Sequence, residues 1–306
     1  MHVDRNFNAN EVCVRILWVV NLVMPEVAHL AGDQKIAFGG WVGAMLKQLS
    51  TVPGLQLGVA MRAPISARTC ERIDNVQYYL LPQNKNDKFD VYEEDACWAL
   101  NDFNADLLHV EGSESAHARN FLNCWKGINV VSMQGILNGY EPYEYGSLPL
   151  GEMLTSFHPT KTIVAASLIA NKQLVFKRRL KTETETLRKA HNILGRTTWD
   201  RAHAYAVNSD APYFSCNRIL RDTFYGKRWA LDKMQRHSVF LGNISSPRKG
   251  AHFAFQALAQ LKREYPDVKM YVAGEPPQKT SCRQWKKAIG YAAYIRYLIE
   301  KFNISE

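Results

Sequence analysis

Two adjacent cations, Arg248 and Lys249, stand between Pro247 and Gly250, directly after the apolar run 239–241 and the turn residues Gly242, Asn243, Ile244, Ser245 and Ser246. A helix follows, because Ala254, Ala257, Leu258 and Leu261 recur at helical spacing before Pro266. Residues 268–273 then form a second apolar run. The stretch reads as strand, turn, helix and strand, with the cations at the helix amino terminus. Positive charge there opposes the helix dipole unless an anion is present, and free backbone N–H groups beside a lysine suit a phosphate. A solvated basic turn is the alternative. Glu111 is a second chemically capable group, at the end of the apolar run 105–111. Burial there raises a carboxyl pKa toward the range useful for proton transfer, although such a residue equally serves as a helix cap. His109, inside the same run, reads as a core histidine. Gly39 and Gly40 lie between the first strand and the first helix, where a glycine pair either lets backbone approach a ligand or forms a turn.

These residues need elements to hold them. Val14–Val20, 55–61, 77–81, 105–111 and 130–134 read as strands, alternating with helices that start near Val42 and Val91. That alternation predicts an α/β protein with a parallel sheet. A chain of 306 residues suits two domains, 1–225 and 226–306. Residues 136–182 read as a long irregular, aromatic-rich binding loop with Tyr140, Tyr143, Tyr145, Phe157 and Phe176. The basic cluster 176–181 is either a contact for an anionic membrane surface or a solvated helix start. Of the net charge of +9, the whole excess sits in 226–306, with 15 Lys+Arg against 6 Asp+Glu. No nucleic-acid-binding signature accompanies it, so nucleic acid is not an expected partner. Six cysteines without a Cys-x-x-Cys pair point to neither zinc nor disulfides, and hence to a reducing compartment. The apolar run 14–24 is shorter than the ~20 residues of a spanning helix and lacks a cleavage site.

Phe240-Leu241-Gly242, the turn ending Pro247-Arg248-Lys249-Gly250 and Tyr271-Val272-Ala273-Gly274 resemble the donor-phosphate segment of retaining family-4 glycosyltransferases. Residues 193–202 and 217–225 resemble the capsular and exopolysaccharide branch of that family. The resemblance implies the GT-B fold of two Rossmann-like domains. It also implies transfer of a sugar, with retention, from a UDP- or GDP-sugar to a lipid-linked or saccharide acceptor in surface-polysaccharide synthesis. Such an enzyme is cytoplasmic, peripheral on the inner face of the membrane, and works without a metal or other cofactor; no Asp-x-Asp occurs here. Carried onto this chain, Gly39, Gly40, Gly242, Asn243, Arg248, Lys249 and Gly250 are expected to meet the donor. Glu111 and Lys249 are expected to act in catalysis. Glu111 stands where many members place a histidine, and Asn243 where they place an arginine, which removes one charge-assisted contact. Beyond Gly274 the chain has one amphipathic helix and lacks the family's paired-glutamate segment, so the second domain is expected to be incomplete, with uncovered strand edges. A truncated, non-catalytic glycosyltransferase-like binding protein is the second reading.

Overall fold

The computed structural model describes residues 13–32, 40–87, 89–273 and 289–304. Gly39 and Gly274 therefore lie outside the described residues. The chain divides into two compact units, Met1–Gly139 with Arg179–Lys227, and Tyr140–Arg178 with Arg228–Glu306.

The first unit is built on an eight-stranded sheet. Its strands are β1 (Val14–Val20), β2 (Leu55–Ala63), β3 (Thr69–Ile73), β4 (Val76–Pro82), β5 (Leu107–Glu111), β6 (Asn129–Ser132), β7 (Asn192–Gly195) and β8 (Tyr213–Ser215). They lie in the order β3-β4-β2-β1-β5-β6-β7-β8, and every neighbouring pair is parallel except β3 with β4. Helices α1 (Gly40–Leu49), α2 (Glu93–Phe103) and α3 (His117–Cys124) interleave with the strands. The strand period of two explains the sheet's two cores. In β1, Leu17 and Val19 join one apolar cluster, with Leu100 and Phe121, whereas Trp18 and Val20 join the other, with Val42 and Leu46.

Two sequence expectations change here. Residues 136–182 are not irregular: they carry α4 (Leu137–Tyr140), α5 (Leu150–Thr155), α6 (Pro159–Asn171), a π-helical turn (Lys172–Phe176) and α7 (Lys177–Arg188). α5 starts directly after Pro149 and takes in Gly151, and α6, the π-helical turn and α7 follow one another without a break from Pro159 to Arg188. The cysteines also depart from expectation, because Cys97 of α2 and Cys124 of α3 form a disulfide. The pairing joins two packed helices 27 residues apart, a separation with no short spacing motif.

The second unit contains the parallel pair β9 (Ser238–Leu241) and β10 (Lys269–Val272), with α9 (Ala251–Glu264) and α10 (Tyr291–Phe302); α8 (Thr198–Val207) belongs to the first unit. Among the described residues β9 and β10 pair only with each other, and Phe240 is 73% exposed. The apolar faces of α9 and α10 are covered from within the chain. Met153 of α5 with Val164 and Ala165 of α6 pack into one core with Phe255, Leu258, Ile295 and Leu298.

Candidate active site

In the first unit, β5 carries Glu111 into the interior at its carboxyl end, where the side chain is fully buried. Arg218 Nη2 donates to Glu111 Oε1 and, at 3.4 Å, to the Met133 carbonyl, while its guanidinium lies 4.2 Å over the Trp41 ring. The other oxygen, Oε2, has no hydrogen-bond partner. Trp18 Nε1 and Gln134 Nε2 also lack partners, and both residues are near enough to lower the Glu111 pKa. Burial nevertheless dominates: with help from Glu114 and against Arg218, it pushes Glu111 up to about 7. Burial and the charge of Glu183 push Glu114 up to about 7 as well, with Arg179 and Arg218 opposing. A carboxyl group poised there exchanges a proton near neutral pH.

The surrounding residues hold this arrangement. His109 stacks on Trp18, centroids 5.2 Å apart, and its Nε2 lies 2.6 Å from Ser132 Oγ. Burial and Arg218 depress its pKa to about 3, so it is a neutral core histidine. Glu183, fully buried in α7, accepts from the backbone N–H groups of Leu137 (3.0 Å) and Asn138 (2.8 Å) and from Ser113 Oγ (3.2 Å). It thereby joins the loops after β5 and β6. Asp200 completes a capping box with Thr197 at the start of α8, and Arg196 donates to the Gln134 carbonyl at 2.9 Å. Trp199 covers Gly139, where a Cβ would sit 2.5 Å from the indole. At Gly40 a Cβ would meet Arg221 at 2.6 Å, so the side chain that approaches this glycine comes from the protein itself.

Four of these groups set an acid profile. His109 and His117, the latter also lowered to about 3 by burial and Arg62, are neutral when folded, whereas Glu111 and Glu114 stay protonated up to about 7. Between pH 4.5 and 6.5 the folded carboxyls hold two protons that the unfolded chain has lost, and the folded histidines lack two that it carries. These contributions cancel. Below pH 4.5 only the histidine pair among these four still differs between the folded and unfolded chain, so the contribution of these groups to stability falls as pH falls; from 6.5 to about 7 their contribution falls as pH rises. Urea melts at pH 4, 5.5 and 6.5 check this, and a steep slope between 5.5 and 6.5 would contradict it.

In the second unit, Asn243 Oδ1 accepts from Ser245 N–H at 2.7 Å, an Asx turn beside the exposed Gly242. Pro247–Lys249 is one 3-10 turn, and Gly250 ends it in the left-handed region (φ +72) where α9 begins. Arg248 Nη1 pairs with Glu144 Oε2 at 3.0 Å, and its guanidinium lies 3.9 Å from the Tyr140 ring centroid. Lys249 is exposed and has no charged partner among the described residues. At the α9 amino terminus, His252 N–H donates to Tyr291 Oη at 3.1 Å. Its ring lies between Tyr291 Oη (2.7 Å) and the Gly146 carbonyl (3.0 Å). A carbonyl only accepts, so Nε2 carries the proton and Nδ1 accepts from the tyrosine hydroxyl. Gly146 (φ +56) touches the turn so closely that a Cβ would lie 2.2 Å from the Pro247 oxygen.

No protein-family model matches the sequence, and no curated protein is significantly similar to it. Solved structures are similar in fold. Sucrose-phosphate synthase from Thermosynechococcus elongatus superposes with a TM-score of 0.54 at 11% identity, over 95% of this chain and 68% of that one. Trehalose-6-phosphate synthase from E. coli, bound with UDP-2-fluoro glucose, gives 0.52 at 10% identity over 94% and 69%. An alpha,alpha-trehalose-phosphate synthase (UDP-forming) from Burkholderia vietnamiensis gives 0.50 at 12% identity over 94% and 70%. The fold is that of the GT-B glycosyltransferases. On this GT-B frame the expected residues fall in both units, with Gly40 and Glu111 in the first and Gly242, Asn243, Arg248, Lys249 and Gly250 in the second. Sequence reasoning missed Arg218, Glu114, Glu183, Glu144 and Tyr291, whose partners lie 39 to 107 positions away in the chain.

Proposed function

We propose that the chain is a retaining glycosyltransferase of the family-4 type, moving a sugar from a UDP- or GDP-sugar to a saccharide or lipid-linked acceptor in surface-polysaccharide synthesis. The observation that carries this is the environment of Glu111. It is a buried carboxyl with a pKa of about 7, and beside it stand two donors, Trp18 and Gln134, close enough to lower that pKa yet short of full hydrogen-bond geometry with Oε2. An acceptor hydroxyl would satisfy both polarities, donating to Oε2 and accepting from Trp18 or Gln134. As the bond from sugar to diphosphate breaks and the acceptor oxygen bonds to the sugar, Glu111 takes the hydroxyl proton. Lys249 offsets the charge left on the diphosphate. Among the described residues no helix is long and apolar enough to cross a membrane. Placement on the cytoplasmic face of a membrane comes with the resemblance; the Cys97–Cys124 disulfide weighs against a reducing compartment.

A non-catalytic binding protein is the second reading. It is favoured by the turn itself, where Glu144 engages Arg248 and Asn243 has no charge to offer. Incubation with a panel of sugar nucleotides, following thermal stabilisation and nucleotide release, separates the two. Stabilisation without release in the presence of acceptors supports the binding protein. Replacing Asn243 by arginine restores the missing cation and is expected to tighten nucleotide binding roughly tenfold, the effect of one charge-assisted contact. An equally folded Asn243→Arg variant with unchanged affinity would remove the turn from the donor site.

A further inference from the structure

A cation-lined cavity opens within the unit of residues 140–178 and 228–306, lined by none of the residues of the Pro247–Lys249 turn. Its volume is about 310 Å³, and three helices wall it: Lys161 of α6, Gln260 and Arg263 of α9, and Tyr294, Tyr297 and Lys301 of α10. No carboxylate lines it, and among the described residues none of the three cations forms an ion pair. Arg263 and Lys301 occupy the last turns of their helices, where the dipole favours positive charge. Lys161, in the first turn of α6, works against the dipole and requires another reason.

The apolar side of the cavity is pre-ordered. Tyr294 and Tyr297 stack with centroids 6.0 Å apart and planes 23° apart, and His158 packs against Tyr297 at 4.5 Å. Lys161 Nζ lies 5.5 Å from the Tyr297 ring centroid, so its charge is held at the cavity wall. The volume is at the small end of ligand pockets, which run from roughly 300 to 1,000 Å³. We propose that this cavity binds a phosphate monoester of a small hydroxylated molecule. Lys161, Arg263 and Lys301 hold the phosphate, the amides of Gln256 and Gln260 meet hydroxyls, and the tyrosine pair takes the apolar face of the ring. The proposal stands whether or not the chain transfers sugar, since it shares no residue with either proposed contact.

Calorimetric titration of the whole protein with glucose 6-phosphate, without any sugar nucleotide, tests it. Saturable binding is expected, with no binding of glucose. The double variant Lys161→Gln, Lys301→Gln should lose at least tenfold in affinity at an unchanged melting temperature, whereas Lys249→Ala should keep it. Absent binding, equal binding of glucose, or an unaffected double variant would overturn the proposal. So would loss of binding in Lys249→Ala alone, which would move the phosphate to the other turn. A lipid headgroup with a phosphate monoester offers the same chemistry, so vesicles containing phosphatidylinositol 4-phosphate form a separate arm. Co-sedimentation with them, without binding of glucose 6-phosphate, would also overturn the soluble ligand.

Discussion

Lys249→Ala is expected to raise the Kd for UDP or GDP roughly ten- to hundredfold, the roughly 1.5–3 kcal/mol of a hydrogen bond to a charged group. The residue is exposed and unpaired among the described residues, so its removal leaves the fold intact and the loss is read from binding alone. Its neighbours cannot make up the difference at once. Arg248 must first leave Glu144 and Tyr140, and Asn243 is neutral. Calorimetry with UDP and GDP measures the effect, and an unchanged Kd for both nucleotides would show that this turn does not hold the diphosphate.

Arg218→Ala should destabilise the protein at every pH, and by about 1 kcal/mol more at pH 8 than at pH 5, because without the guanidinium Glu111 sheds its charge only by binding a proton, at about 1.4 kcal/mol per pH unit above about 7. At pH 5 that extra loss is absent. Glu111, held up to about 7 by burial, is already protonated there, so removing the guanidinium costs only its packing on Trp41 and its bond to Met133. The variant also raises the Glu111 pKa further, because Arg218 is the group that lowers it most. Stability lost on removing Arg218 therefore grows as pH rises through and beyond 7. Denaturant melts at the two pH values check it, and equal losses at both would show that Glu111 is ionised throughout.

Much of this architecture could be read along the chain, for a simple reason. β1, β5, β9, α9 and β10 are continuous apolar or 3.6-periodic runs with glycine, proline or asparagine at their ends, so local sequence specifies them. β3 escaped because Thr69–Ile73 is an edge strand with no fully buried residue, and no apolar run marks it. α5 and α6 escaped as core helices because the residues they cover come from α9 and α10, about a hundred positions on. The site divides in the same way. Glu111 and Lys249 were visible through their neighbours in sequence. Arg218 was not, since only the fold brings β5 and the segment after β8 to one point. Glu144 was not visible either, because its meaning depends on an arginine 104 residues away.

Cys97 and Cys124 close a ring of chain that contains β5, Glu111 and Glu114. Both titrating carboxyls thus sit on a segment tethered at each end, and the tether restricts the unfolded chain by on the order of 3 kcal/mol for a loop of this length. Leu108 and Val110 of β5 face Leu100 of α2 and Phe121 of α3, whereas His109 and Glu111 face the other way, toward Trp18 and the Arg218–Trp41 pair. Reducing the disulfide therefore frees the unfolded chain on one face of the sheet while the titrating site on the other keeps its cover.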